Sequence, residues 1–292
     1  MEFLRLVQKT DQTQMTGHDH QLILLDGEPA PDKLKADIGG GEVLAYTGRA
    51  PDKESENQDT VGIIPYGPDA AVLVVADGAG GLPAGRRASQ TAVAALDQSL
   101  QVAESKTMLL RTAILDGIES ANEAVLSLAN GAATTMTVVT IEGCVARMYQ
   151  IGDSEAVITG QRGLVRAQTM AHSPTGFAVE AGFLDERDAL HHEERHLVSN
   201  FIGTSDMRID VGAAVSLRPR DTVLVASDGL TDNVHMHEIN NLMRKGPLEK
   251  ALDAIVNLAL HRMNADSTNQ PSKPDDLSII LFRKTVKSSS QR

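Results

Sequence analysis

Two segments of this 292-residue chain combine a run of β-branched and aliphatic residues with an Asp-Gly pair. They are residues 72–81 (VLVVADGAGG) and residues 222–232 (TVLVASDGLTD). A strand that is apolar on both faces must be covered on both faces, so each run predicts a buried strand in a layered domain. A carboxylate at the end of such a strand is costly to bury without a compensating partner. A divalent cation is the partner that this pattern suggests.

The composition limits the classes of protein to consider. With 41% hydrophobic residues the chain can bury a core of one large domain or two small ones. The net charge of −12 opposes nonspecific binding to nucleic acid or to an anionic membrane. No apolar run approaches the length of a membrane span, and residues 1–5 do not begin a signal peptide. We therefore expect a soluble, cytoplasmic monomer that binds neither nucleic acid nor a membrane.

The single cysteine, Cys144, lies in the apolar stretch 141–151. It cannot form an internal disulfide, and no charged residue adjoins it to activate the thiol. We expect a small, buried side chain in a reducing compartment.

The order of predicted elements favours antiparallel sheets with helices packed outside them, which is an α+β fold. Strands are predicted at 60–64 and 71–76, and helices follow at 84–100 and 106–129. Further strands, two helices and a last strand at 277–282 complete the pattern, which does not alternate as in a Rossmann fold. Residues 1–45 are expected to form an N-terminal extension that ends at a Gly39-Gly40-Gly41 hinge. Residues 285–292 are expected to form a polar tail.

Aspartates recur at strand ends or strand–turn junctions. A single Asp-Gly is usually turn chemistry, as we expect for Asp26-Gly27 and Asp116-Gly117. Repetition of the feature inside longer words is harder to explain as turns alone. Hard oxygen ligands without nearby His or Cys suit Mg²⁺ or Mn²⁺ and not Zn²⁺. The aspartates concerned are Asp59, Asp77, Asp153, Asp228 with Asp232, and Asp275 with Asp276.

These words, in this order, resemble the type 2C, metal-dependent serine/threonine protein phosphatases. The resemblance covers roughly residues 45–284 and rests on NQD (57–59), DGAGG (77–81), GDS (152–154), SDGLTD (227–232) and DDLS (275–278). It implies an α-β-β-α sandwich of two antiparallel sheets flanked by helices, with a metal centre at one end. The phosphatase domain would span 46–284, with a flap at about 171–200 beside the cleft.

The resemblance also implies roles for individual residues. Asp59, Asp77, Asp228 and Asp275 would be the catalytic carboxylates, holding two Mg²⁺ or Mn²⁺ ions with the Gly78 carbonyl, and Asp77 would bridge both ions. Two such ions can activate a bridging water for in-line attack on a phosphorylated protein, so no protein nucleophile is needed. A possible third ion would lie at Asp153 and Asp232, sharing Asp228. Asp276 would stand behind the ligands.

The chain departs from the family pattern on the phosphate side. Members often carry an Arg where this chain has Glu54, so Arg49 is the candidate for contacting the substrate phosphate; the alternative is that Arg49 is a solvated loop charge. An Arg common after Gly-Asp-Ser is Glu155 here. These changes motivate an alternative function, a phosphoprotein-binding pseudophosphatase with weak or no turnover. A hydrolase of small phosphorylated metabolites is a further alternative.

Overall fold

The computed structural model describes residues 21–79, 84–129, 131–189, 192–194, 197–265 and 270–285. Two antiparallel sheets form the centre of the molecule. The first has the order β1 (Ile23–Leu25), β4 (Asp59–Tyr66), β5 (Ala70–Ala79), β7 (Met136–Glu142), β8 (Val145–Ile151) and β11 (Asp210–Val211), with β6 (Ala133–Thr134) on β5 and β12 (Val215–Ser216) on β8. The second has the order β10 (Val165–Gln168), β9 (Glu155–Thr159), β13 (Thr222–Ala226), β14 (Leu277–Lys284), β3 (Gly41–Gly48) and β2 (Asp32–Ile38).

Helices cover the outer face of each sheet. Helices α1 (Ala84–Ser105) and α2 (Leu110–Leu126) pack on the first sheet, and α6 (Met236–Met243) and α7 (Leu248–Met263) pack on the second. The short helices α3 (Pro174–Glu180) and α4 (Glu186–Ala189) follow β10, and α5 (Asp228–Thr231) follows β13. The predicted α-β-β-α sandwich is confirmed.

The apolar runs 72–76 and 222–226 are buried on both faces. In β5, Val72 and Val74 face the α1–α2 layer, whereas Leu73 and Val75 face the second sheet. Strand β13 of the second sheet alternates in the same way. Val223 and Val225 face the inter-sheet core, whereas Leu224 and Ala226 face the α6–α7 layer. Both segments are therefore central strands between two hydrophobic cores, which is why neither shows the polar alternation of a surface strand.

Residues 23–45 are part of the sandwich, which differs from the expected N-terminal extension. Strand β1 pairs with β4, and β2 pairs with β3 along its whole length. The Gly39-Gly40 pair is not a hinge but the tight turn between β2 and β3, with φ of +62° and +70°. Residues 1–20, and all of the expected polar tail except Thr285, lie outside the described residues.

Cys144 is exposed, which corrects the expectation of a buried thiol. It lies in the turn between β7 and β8, where its Sγ atom is 2.9 Å from Nζ of Lys284. Within the described ranges, no helix combines the length and the apolar character needed to cross a membrane.

Candidate metal centre

Asp59 and Asp77 lie directly opposite each other on adjacent strands of the first sheet. They are register partners in the antiparallel pair β4–β5, so the topology alone brings the two carboxylates together. Asp59 is fully buried, and Ser227 donates its hydroxyl hydrogen to Asp59 Oδ2 at 2.7 Å. Among the described residues, Asp59 Oδ1 has no hydrogen-bond partner. This buried, unpaired oxygen is the kind of atom that a cation would satisfy.

The backbone around Asp77 is held by two threonines, Thr134 at the end of β6 and Thr135 between β6 and β7. The Asp77 N–H donates to Thr135 Oγ1 at 3.0 Å, and the Asp77 carbonyl accepts from the Thr134 hydroxyl and the Thr135 N–H, each at 2.8 Å. Both threonines therefore fix the backbone of Asp77. They position a candidate ligand.

Gly78 is required by the close approach of two backbones. A Cβ atom at Gly78 would lie 2.1 Å from the carbonyl oxygen of Gly85, at the start of α1. The Asp-Gly word is therefore explained by packing of β5 against α1, with the Gly78 carbonyl itself lying against Gly85.

The second wall of the centre is built where β13 ends. Ser227 follows the strand, and Asp228 and Asp232 lie at the start and just past the end of α5, so both carboxylates lie near one end of the second sheet. Asp228 Oδ1 is buried without a hydrogen-bond partner among the described residues. A Cβ at Gly229 would lie 1.9 Å from the Asp276 carbonyl oxygen, so this glycine too permits a close backbone approach.

Asp275 and Asp276 are neighbours with different surroundings. Asp276 is 3% exposed and accepts the backbone N–H of Ala50 (3.0 Å) and of Gln58 (2.8 Å), together with the Lys53 ammonium. It therefore fixes the loop that precedes Asp59. Asp275 faces Asp228 and remains partly exposed.

Asp153 enters the centre from the loop after β8. The preceding Gly152 has a φ of +98°, and its N–H donates to Nδ1 of His172 at 3.2 Å. His172 is buried, and its Nε2 lies 3.0 Å from Asp210 Oδ2. The base of the predicted flap is thus anchored to the loop that carries Asp153.

Lys273 is the residue of this centre that sequence reasoning missed. Its Nζ atom lies 2.7 Å from Asp228 Oδ2, 2.7 Å from Asp232 Oδ2 and 3.3 Å from Asp275 Oδ2. The available signal was a cation two residues before Asp275, but the sequence alone does not place it against Asp228 and Asp232.

The carboxylates repel one another in the absence of a metal ion, although Lys273 offsets part of their charge. Burial, followed by the charge of Asp276, raises the pKa of Asp59 to about 8. Burial and then Asp228 raise the pKa of Asp275 to about 6. Desolvation and neighbouring carboxylates also raise the pKa values of Asp77 and Asp153 well above the usual range. Such shifts mark a site where added positive charge is favourable.

The donor set fits Mg²⁺ or Mn²⁺ in its chemistry. All candidate side-chain ligands are carboxylates, and two of their buried oxygens, on Asp59 and Asp228, are unpartnered among the described residues. Across the same residues, no three His, Cys, Asp or Glu side chains already form a group arranged to hold a metal ion. The fit therefore rests on the chemistry and the unpaired oxygens, not on a preformed coordination shell.

The other cations near the centre are engaged by acidic residues. Arg49 Nε lies 3.3 Å from Glu28 Oε1, and its side chain is 35% exposed. Arg86 pairs with Asp26 and Glu56. Glu54 is exposed, and Glu155 Oε2 accepts a hydrogen bond from Gln168.

Comparison with known proteins decides the family. The model of the family described as "Protein phosphatase 2C" matches residues 50–270, which is most of the chain. The chain belongs to the protein phosphatase 2C family. The resemblance on which the sequence analysis relied is confirmed, and so are the expected enzyme class, a protein phosphatase, and the metal dependence typical of the family.

Individual relatives agree with this assignment. The serine/threonine phosphatase stp of Listeria monocytogenes is 26% identical over 245 residues, which are 79% of this phosphatase and 91% of the relative. The S. agalactiae serine/threonine phosphatase structure has a TM-score of 0.71 and 26% identity, with 84% and 100% of the two chains covered. The catalytic domain of PstP, solved in complex with two manganese ions, has a TM-score of 0.63 at 20% identity, covering 90% and 99%. The last comparison shows a shared fold.

Proposed function

We propose that this phosphatase hydrolyses phosphoserine and phosphothreonine in proteins with two Mg²⁺ or Mn²⁺ ions bound between its two sheets. The observation that carries the proposal is the pairing of Asp59 with Asp77 opposite Asp228, with one unpartnered buried oxygen on Asp59 and one on Asp228 among the described residues. The manganese ions of the PstP complex support the choice of metal. Bound ions would supply an activated water and would neutralise charge on the phosphoryl group.

The chain's own residues have separate tasks in this scheme. Asp59, Asp77 and the Gly78 carbonyl would hold ions from the first sheet, and Asp228 and Asp275 would hold them from the second. Ser227 orients Asp59, and Thr134 and Thr135 fix the backbone of Asp77. Because these supports are buried, they limit the movement of the Asp59 carboxylate and of the Asp77 backbone.

A cleft of about 860 Å³ leads to the centre. Its walls include Asp153, Asp228 and Asp232 on one side and residues of α3 and α4 in the flap on the other. This volume lies within the range of small-molecule sites, so it is compatible both with a phosphorylated side chain of a protein and with a small metabolite. The relatives named as serine/threonine phosphatases support a protein substrate.

Arg49 remains our candidate for contacting the substrate phosphate. It directly follows β3, and the structure records its contact with Glu28 through Nε. A guanidinium binds phosphate through two parallel N–H donors, and Arg49 would have to exchange Glu28 for the phosphate to do so. We further propose a cytoplasmic monomer that binds neither nucleic acid nor a membrane, in keeping with the net charge of −12.

The proposal is tested by Mn²⁺-dependent hydrolysis of p-nitrophenyl phosphate and of a phosphothreonine peptide. We expect turnover with Mn²⁺, none with EDTA, and a loss of at least about 100-fold in Asp77→Asn. Asp69→Asn is a matched control, because Asp69 is an exposed residue in the turn of the same β4–β5 hairpin. Folded, metal-loaded protein that binds the phosphopeptide without hydrolysing it would favour the pseudophosphatase alternative.

A further inference from the structure

Lys273 is held in a fixed position beneath the centre. The fully buried Asn233 clamps its backbone on both sides, accepting the Lys273 N–H at 2.7 Å and donating to the Lys273 carbonyl at 2.8 Å. Asn233 also donates to the Gly229 carbonyl at 2.9 Å, so it links the backbone of Lys273 to helix α5. Asn233 is in turn held by the buried Arg262, whose Nη1 donates to the Asn233 carbonyl at 2.9 Å. This architecture preorganises one lysine.

The ammonium group points at two of the three carboxylates that the family pattern assigns to a third ion. Its contacts with Asp228 Oδ2 and Asp232 Oδ2 are both hydrogen bonds of 2.7 Å. Lys273 is also close enough to Asp153 for its charge to favour the ionised form of that side chain. An ammonium is a compact point charge with three donors, so it can substitute for a small cation among carboxylate oxygens.

Asp228 divides its two oxygens between two cation positions. Oδ2 accepts from Lys273, whereas Oδ1 is buried and unpartnered among the described residues. Oδ1 therefore stays available to an ion shared with Asp59, Asp77 and Asp275 while Lys273 keeps its own place. The ion pair between Lys273 and Asp228 is therefore compatible with two metal ions bound at the centre.

We propose that the Lys273 ammonium takes the place of the third metal ion, so that this phosphatase binds two divalent ions and not three. A third ion would have to displace a covalently tethered cation and leave it beside a divalent charge, which is unfavourable. The inference rests on the proposed function only in requiring that Asp59, Asp77, Asp228 and Asp275 bind ions.

The test is metal stoichiometry, measured without reference to activity. Metal-stripped wild type is titrated with Mn²⁺ by calorimetry, and crystals grown at high Mn²⁺ are examined by anomalous scattering. We expect two ions in wild type and a third ion, among Asp153, Asp228 and Asp232, in Lys273→Met. The double variant Lys273→Met/Asp232→Asn should return to two ions. Lys284→Met, at the opposite end of β14, is the matched control and should not change the count.

The outcomes separate the two proposals. A manganese peak among Asp153, Asp228 and Asp232 in wild type overturns the role of Lys273, whether or not the variant folds. A folded Lys273→Met protein that gains no ion also overturns it. If wild type binds no ion near Asp59 and Asp77, the proposed two-ion function fails instead.

Discussion

The adjacent residues Asp275 and Asp276 should separate metal binding from fold stability when each is changed to Asn. Asp276 is 3% exposed and accepts two backbone N–H groups and the Lys53 ammonium. In Asp276→Asn, one acceptor oxygen becomes an NH₂ group that faces donors. Asp275 makes fewer contacts that hold the fold together: it accepts the Asp276 N–H at 2.9 Å and lies 3.3 Å from Lys273.

The magnitude follows from the bonds that change. Hydrogen bonds to a charged acceptor contribute roughly 1.5–3 kcal/mol each, and breaking a buried ion pair costs about 3–5 kcal/mol. We expect Asp276→Asn to lose about 3 kcal/mol, because part of the network can rearrange around an amide. For a chain of this length that loss lowers Tm by about 6 °C, at roughly 2 °C per kcal/mol. Asp275→Asn should not lower stability, because the contacts of Asp275 are partly exposed and the raised pKa of Asp275 shows that its charge opposes folding without metal.

The assay is thermal unfolding in EDTA at pH 6, combined with Mn²⁺ titration. At that pH Asp59, whose pKa is raised to about 8 by burial and then by Asp276, is mostly protonated, so removing the charge of Asp276 brings no compensating relief. Asp276→Asn should melt lower than wild type yet still bind Mn²⁺, and Asp275→Asn should melt no lower than wild type yet bind Mn²⁺ weakly. Equal melting temperatures for the two variants would refute the division of roles.

Further outcomes follow from the same contacts. Ser227→Ala should weaken Mn²⁺ binding about 10–100-fold by calorimetry, because Asp59 loses its 2.7 Å hydrogen bond. Ser89 is also buried and donates to the Gln58 carbonyl, so Ser89→Ala serves as the control and should leave Mn²⁺ binding unchanged. Equal effects of the two substitutions would contradict the role of Ser227. The metal-free protein should lose stability in urea titrations as the pH is raised from about 4 to about 8, because an acid whose pKa is raised in the folded state favours folding only while it is protonated. A gain in stability as the pH is raised would be inconsistent with the raised pKa of Asp59. Gly78→Ala should destabilise the fold by about 3 kcal/mol in the same titrations, because its Cβ would lie 2.1 Å from the Gly85 carbonyl oxygen. Gly212→Ala, where the nearest atom is 3.4 Å away, serves as its control, and similar losses in both would refute the steric argument.

The fold and most of the candidate ligands could be predicted because they depend on local pattern. An apolar run that ends in Asp-Gly specifies a central strand and a carboxylate at its end. The turn between the predicted strands at 60–64 and 71–76 makes them a hairpin, and its register then pairs Asp59 with Asp77. The confirmed family resemblance extended this local information to the whole sandwich.

Strand β2 was missed although its signal is present. In β2 the polar residues Lys33, Lys35 and Asp37 are exposed, whereas Ala36 and Ile38 face the inter-sheet core. This is the period-two pattern of an edge strand, with charged side chains on its open face. Reading Gly39-Gly40 as a hinge separated β2 from its partner β3.

The Lys273 position could not be predicted, because its contacts join residues 41 and 45 positions apart along the chain. The sequence gives the number and sign of the charges, but the electrostatic energy of each charge depends on its distance from a partner and on its exposure to water. The chain carries Glu54 and Glu155 where the family pattern often has arginine, and it carries a lysine among its candidate ligand carboxylates. Only the fold identifies the carboxylates that this lysine neutralises.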